Sequence, residues 1–171
     1  LTVTNSTFSD NTAARAGGAI EIGTDSDLVT LTNTNFTGND ALGTPGNGGA
    51  MHITGSPNSN IIVGTVSMNT AALEGGGLWN GSGVMTISGT TIDGNDAQGD
   101  FVADPLEIIG GGGIFANDNG TVVIEAGTTI SNNQASGTQG SGGGILVAQN
   151  VNLDINGTAG SPVVISGNFA S

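Results

Sequence analysis

A glycine doublet followed by a small residue and then an apolar one occurs five times in this chain. The instances are Gly17-Gly18-Ala19-Ile20, Gly48-Gly49-Ala50-Met51, Gly75-Gly76-Gly77-Leu78, Gly111-Gly112-Gly113-Ile114 and Gly142-Gly143-Gly144-Ile145. Successive blocks begin 31, 27, 36 and 31 residues apart. A unit of about thirty residues that recurs this way marks a repeat architecture.

A second motif keeps step with the first: an apolar residue, two variable ones and an asparagine. It is found at Phe8–Asn11, Phe36–Asn39, Val66–Asn69, Ile92–Asn95, Ile130–Asn133 and Ile165–Asn168. Asparagine tolerates left-handed backbone at sharp turns, and stacked asparagines can bond to one another along a ladder. Between the motifs lie short stretches that alternate with period two, such as Leu1-Thr2-Val3-Thr4, Val29-Thr30-Leu31-Thr32 and Met85-Thr86-Ile87-Ser88. Such alternation is the pattern of a half-buried strand. In four units the strand's second apolar residue stands five positions before the apolar residue of the Asn motif. The pairs are Val3 to Phe8, Leu31 to Phe36, Ile61 to Val66 and Ile87 to Ile92. This constant distance predicts two strands joined by a tight bend. The last two units depart from it: Glu125 falls where an apolar residue is expected, and 156–162 reads as an insertion.

Three short strands per unit and no helical period predict an all-β chain, a parallel β-helix of five to six coils. At about 4.8 Å per coil the rod would be roughly 25–30 Å long. Residues 1–171 read as a single β-solenoid domain without a linker. Neither end carries a cap, which leaves two expectations open: a piece of a longer solenoid, or units that stack end to end.

The two motifs together resemble the polymorphic outer membrane protein repeats, the GGA-[ILV] and FxxN repeats of bacterial surface autotransporters best known from chlamydiae. The resemblance runs from Phe8 to Asn168. Phenylalanine heads two of the six Asn motifs, and glycine replaces alanine in three of the five Gly blocks. It implies a secreted, right-handed parallel β-helix that works in adhesion or surface assembly.

Charge narrows the partners. One Lys or Arg stands against fourteen Asp or Glu, for a net charge of −13. Arg15 alone cannot neutralise phosphates, so nucleic acid is excluded as a partner. Anionic membrane surfaces repel such a chain, and no apolar run is long enough to span a bilayer. With no cysteine there is neither a disulfide framework nor a thiol metal site.

Catalysis finds little material. A polysaccharide lyase needs a basic residue to take a proton, and the chain has one histidine, one arginine, no lysine and no tyrosine. Glycoside hydrolysis needs two carboxylates flanking a cleft, and no spacing pairs Glu21, Asp93, Glu107 or Glu125. The reading is therefore non-enzymatic. No cofactor is expected. Calcium is the one ion the acidic loops offer, at Asp100, Asp104 and Glu107. Asp25 with Asp27, and Asn117-Asp118-Asn119-Gly120, read as solvated turns.

The candidate surface lies on the Gly-opened strand. If Ile20, Met51, Leu78, Ile114 and Ile145 point inward, the next residues point outward. That outer column is Glu21, His52, Trp79, Phe115 and Leu146. Small residues at Ala19, Ala50, Gly77, Gly113 and Gly144 are expected beside it as low ground. Such an apolar strip marks a contact surface, either for a partner or for the chain's own loop at 96–110. Partners in view are a second copy, end to end or lateral, and a cell-surface glycan or protein. A carbohydrate-binding β-helix with Trp79 as stacking platform is the second reading. Ice binding by outward rows at Thr2, Thr30, Thr86 and at Thr4, Thr32, Ser88 is a third, the rows interrupted at Asn60 and Ile62.

Overall fold

The structure is a computed structural model that describes residues 1–24, 28–99, 108–117 and 119–171. The described residues form a parallel β-solenoid of about five turns with three strands per coil and no helix. One sheet stacks the long strands Thr2–Ser9, Leu28–Thr37, Asn58–Ser67 and Val84–Asp93, then Thr121–Glu125 with Thr129–Ser131, then Asn152–Asn156 with Val164–Ser166. The second sheet is built from two-residue strands that follow each Asn motif, from Thr12–Ala13 to Phe169–Ala170. The third stacks the Gly-opened strands Ile20–Ile22, Met51–Ile53, Leu78–Asn80, Ile114–Ala116 and Ile145–Val147.

The bend expected between the first two strands of a unit is a kink within one strand. Asn5, Asn33, Val63 and Gly89 take left-handed φ there, at 51°, 49°, 51° and 57°. The next coil keeps its apolar residue. Ile124 pairs in register with Ile87 and is fully buried. The chain lengthens after it, around Gly127, so the strand divides in two. Glu125 is thus no substitute for a core residue. It lies past Ile124, beside Asn156 of the next coil.

Register holds the core. Val29, Met85 and Val122 share one inward column with Ser59, while Leu31, Ile61, Ile87 and Ile124 form another. Met51, Leu78 and Ile114 are fully buried and stand in register on the Gly-opened sheet, flanked by half-buried Ile20 and Ile145 in the outer coils. Phe8 and Phe36 stack with centroids 5.0 Å apart.

The asparagines form a continuous ladder. Asn11, Asn39, Asn69, Asn95 and Asn133 each donate Nδ2 to Oδ1 of the asparagine in the next coil, at 2.8–2.9 Å. The same Oδ1 also accepts the backbone N–H of the donor residue. Asn39, Asn69, Asn95, Asn133 and Asn168 also donate Nδ2 back one coil, to the carbonyls of Phe8, Phe36, Val66, Ile92 and Ile130 in turn. Asn39, Asn69, Asn95 and Asn133 are wholly buried. A buried amide survives only if its donors and acceptor are met. Asparagine meets both at this reach. An ionised aspartate has no donor.

The glycine blocks follow from this ladder. Gly48 has φ +67°, which an L side chain rarely adopts. At Gly49 a Cβ would come within 2.7 Å of the Thr70 backbone, so the sheets approach too closely for any side chain. The third, small position departs from expectation. A Cβ on Gly77 would meet Val66 Cγ1 at 3.1 Å and Asn95 Cγ at 3.2 Å, and Ala50 is fully buried in the core. This column faces inward onto the asparagine ladder. It is not low ground beside the outer strip, because Ala50 and Gly77 precede the strands that begin at Met51 and Leu78, and alternation holds only within a strand.

A second corner, just before each ladder asparagine, is also left-handed throughout. It reads Asp10, Gly38, Met68, Gly94, Asn132 and Gly167, with φ between 52° and 66°. Side chain and glycine alternate. A Cβ added at Gly38 would meet Asp10 Oδ1 at 2.8 Å, one at Gly94 would meet Met68 Cγ at 3.8 Å, and one at Gly167 would meet Asn132 Oδ1 at 2.7 Å. Each side chain leans over the glycine of the coil that follows.

Candidate functional site

The structure brings all five residues of the outer column together. Glu21 pairs with His52, His52 with Trp79, Trp79 with Phe115 and Phe115 with Leu146, one per coil. Parallel in-register strands hold like positions about 4.8 Å apart, which is stacking distance for flat rings. His52 and Trp79 stack with centroids 4.3 Å apart and planes 27° apart. Trp79 and Phe115 follow at 6.0 Å and 15°.

The middle of the column is closed. His52, Trp79 and Phe115 keep 5 %, 8 % and 2 % of their surface exposed, although they point away from the core. Glu21 is exposed and Leu146 half-buried. Two acid–base partners from the segments that precede the glycine blocks reach back over this face. Arg15 forms an ion pair with Glu21. Glu74, itself buried, accepts a 2.9 Å hydrogen bond from Trp79 Nε1. Both reversals pass through a left-handed glycine, Gly17 at 59° and Gly75 at 64°. The sequence pattern missed these clasps, because Arg15 and Glu74 lie in segments with no shared residue type.

His52 lies between the ion pair and the indole. Its Nδ1 is 3.2 Å from the Thr54 hydroxyl and 3.9 Å from Glu21 Oε1. Burial first, and the positive charge of Arg15 second, push its pKa down from the ordinary 6.5 to about 4. The imidazole is therefore neutral at pH 7, stacked and withdrawn from solvent.

Other sequence candidates scatter. Asp100, Asp104 and Glu107 lie outside the described residues, as do Asp25, Asp27, Asp118 and most of the long loop. At the end of that loop Ile109 is buried and Ile108 exposed. Among the described residues no three acidic or histidine side chains gather as a metal site. The outward threonines do share a column: Thr2, Thr30, Asn60, Thr86 and then Val123. No described helix is long and apolar enough to cross a membrane.

Residues 5–22 match the family model of the Chlamydia polymorphic membrane protein (Chlamydia_PMP) repeat. Over this span the chain is similar to that repeat. The matched span contains the ladder residue Asn11, the Gly17-Gly18-Ala19-Ile20 block, and the Arg15–Glu21 clasp. Later coils reproduce its geometry in register. No curated protein and no solved structure matches the chain.

Proposed function

We propose that this chain is a non-catalytic, extracellular β-solenoid module with a structural or adhesive role in a bacterial surface protein. The observation that carries the reading is how the matched repeat spends its recurring residues. Asn11 and its counterparts saturate a buried ladder, and the glycine blocks let sheets pack against it. The recurring positions thus build a stiff rod and leave the outer columns free to vary. Among the described residues, the histidine buried under Trp79 has no nucleophile in hydrogen-bond contact other than Thr54. A neutral, covered imidazole is a poor start for acid–base chemistry.

Among the described residues, the outermost strands of each sheet are paired on one side only. Further coils, covalent or from a second copy, would extend the rod by the same ladders. A cell-surface protein or glycan is the other partner in view. The carbohydrate reading loses its platform, since His52 and Phe115 occupy the two sides of the Trp79 ring.

The test couples the purified chain to beads and measures adhesion to cells and to a glycan array, with a reducing-sugar assay alongside. Adhesion without sugar release supports the module. Release of reducing ends overturns it. Light scattering across a salt series checks stacking, which should strengthen as salt screens the charge of −13.

A further inference from the structure

We propose that the Arg15–Glu21–His52–Trp79 stack is an acid-sensitive clasp: protonation of His52 breaks the stack and uncovers Trp79. The clasp is a property of the fold and does not depend on what the module adheres to.

Composition makes the convergence informative. The chain has one histidine, one tryptophan and one basic residue. All three meet here, on adjacent coils. Among the described residues, the charged groups facing His52 are Glu21 from the neighbouring strand and Arg15 across it, with Glu74 behind the indole. A proton on His52 would create a second positive charge beside Arg15. Glu21 could answer it, but Glu21 is already engaged by Arg15. Attraction of an imidazolium to the Trp79 face offsets part of this. It does not replace the water lost by a side chain only 5 % exposed.

The inner face of the same strands explains why the outer face would yield alone. Met51, Ile53, Leu78 and Ile114 are fully buried beneath it, and the asparagine ladder carries no group that titrates. The Arg15–Glu21 clasp is a weaker fastening. Arg15 keeps 59 % of its side chain in solvent, and an exposed ion pair holds little. An open face returns the imidazole to its ordinary pKa. The gap between about 4 and 6.5 then lets protonation shift the closed-to-open ratio by up to about 300-fold.

Trp79 supplies the reporter. The emission of the full chain is followed from pH 7.5 to 3.5 together with far-ultraviolet circular dichroism and the imidazole proton shifts of His52. The expected result is a quench and red shift of Trp79 between pH 6.5 and 4, with the β signal retained. The step should vanish in His52→Gln and in His52→Phe, where nothing titrates. Either variant suffices if the other does not fold. Three results would each overturn the clasp: flat emission in the parent chain, the same step in both variants, or a step that coincides with loss of the β signal.

Discussion

Two side-chain columns run the length of this solenoid, and they are built on opposite rules. The asparagine ladder repeats one residue six times, with every internal amide bonded to the coil before and the coil after. The outer column changes at every step, from Glu21 to His52, Trp79, Phe115 and Leu146. Identity repeats where chemistry must be shared between neighbouring coils. It drifts where each residue need only cover the one beside it. The first column holds the fold, and the second gives individual coils their character.

The sharpest way to break the inner side is to charge it. Ile114→Asp should abolish folding, because it places an unpaired carboxylate at a fully buried position. Loss of the cooperative melt checks it. A melt like the parent's would mean that Ile114 does not face inward.

Interrupting the ladder should come next. Asn95→Ala removes the acceptor of Asn69 N–H and Nδ2, and the donor to Asn133 Oδ1 and the Val66 carbonyl. Each buried group left unmet costs about 1–3 kcal/mol, so a loss of about 4 kcal/mol is expected in denaturant unfolding. Asn95→Asp should do no better, since the carboxylate cannot donate.

The outer column should give less. Trp79→Ala is expected to cost about 3 kcal/mol, near the lower end for a large buried aromatic, because its ring packs on neighbours rather than in the core. The pattern of loss distinguishes the two columns. Ladder variants should lose secondary structure with stability, whereas Trp79→Ala should keep the β signal.

Acid should act on the outer column through His52. Its folded pKa lies below its ordinary value, so the folded state binds fewer protons than the unfolded one between pH 6.5 and about 4. Stability from this group is complete above pH 6.5 and falls as pH drops toward 4, by about 2–3 kcal/mol. Urea midpoints of the parent and His52→Gln at pH 7 and pH 4.5 check the sign. The parent should lose more on acidification. Arg15→Ala should be the smallest effect, within about 1 kcal/mol at pH 7, read from the same titration.

The contrast also explains what could be read from residue order. The ladder and the inward Gly-block residues were legible, because a contact between coils recurs once per unit and so leaves a motif. The outer column was legible as a register. Its closure stood open between a partner and the chain's own loop, and the contacts of Arg15 and Glu74 were not legible. Arg15 and Glu74 reach back from segments that differ in every unit, and no period marks them. The small residues at Ala50 and Gly77 were misplaced outward for a related reason. Period-two alternation holds along a strand, but Ala50 and Gly77 stand one residue before the strands that begin at Met51 and Leu78. Glu125 looked like a lost core residue because the added length after Ile124 shifts the count while leaving the register intact.

The second left-handed corner has a consequence for how such a rod can grow. Asp10, Met68 and Asn132 each lean into the space above Gly38, Gly94 and Gly167. Along this edge the molecule therefore has a period of two coils laid over a fold whose period is one. Duplicating a single coil would set two leaning side chains against each other, or leave two glycines with nothing between them. Duplicating a pair would not. Growth by doublets would preserve this alternation, whereas an odd number of added coils would bring two side chains or two glycines together at the same corner.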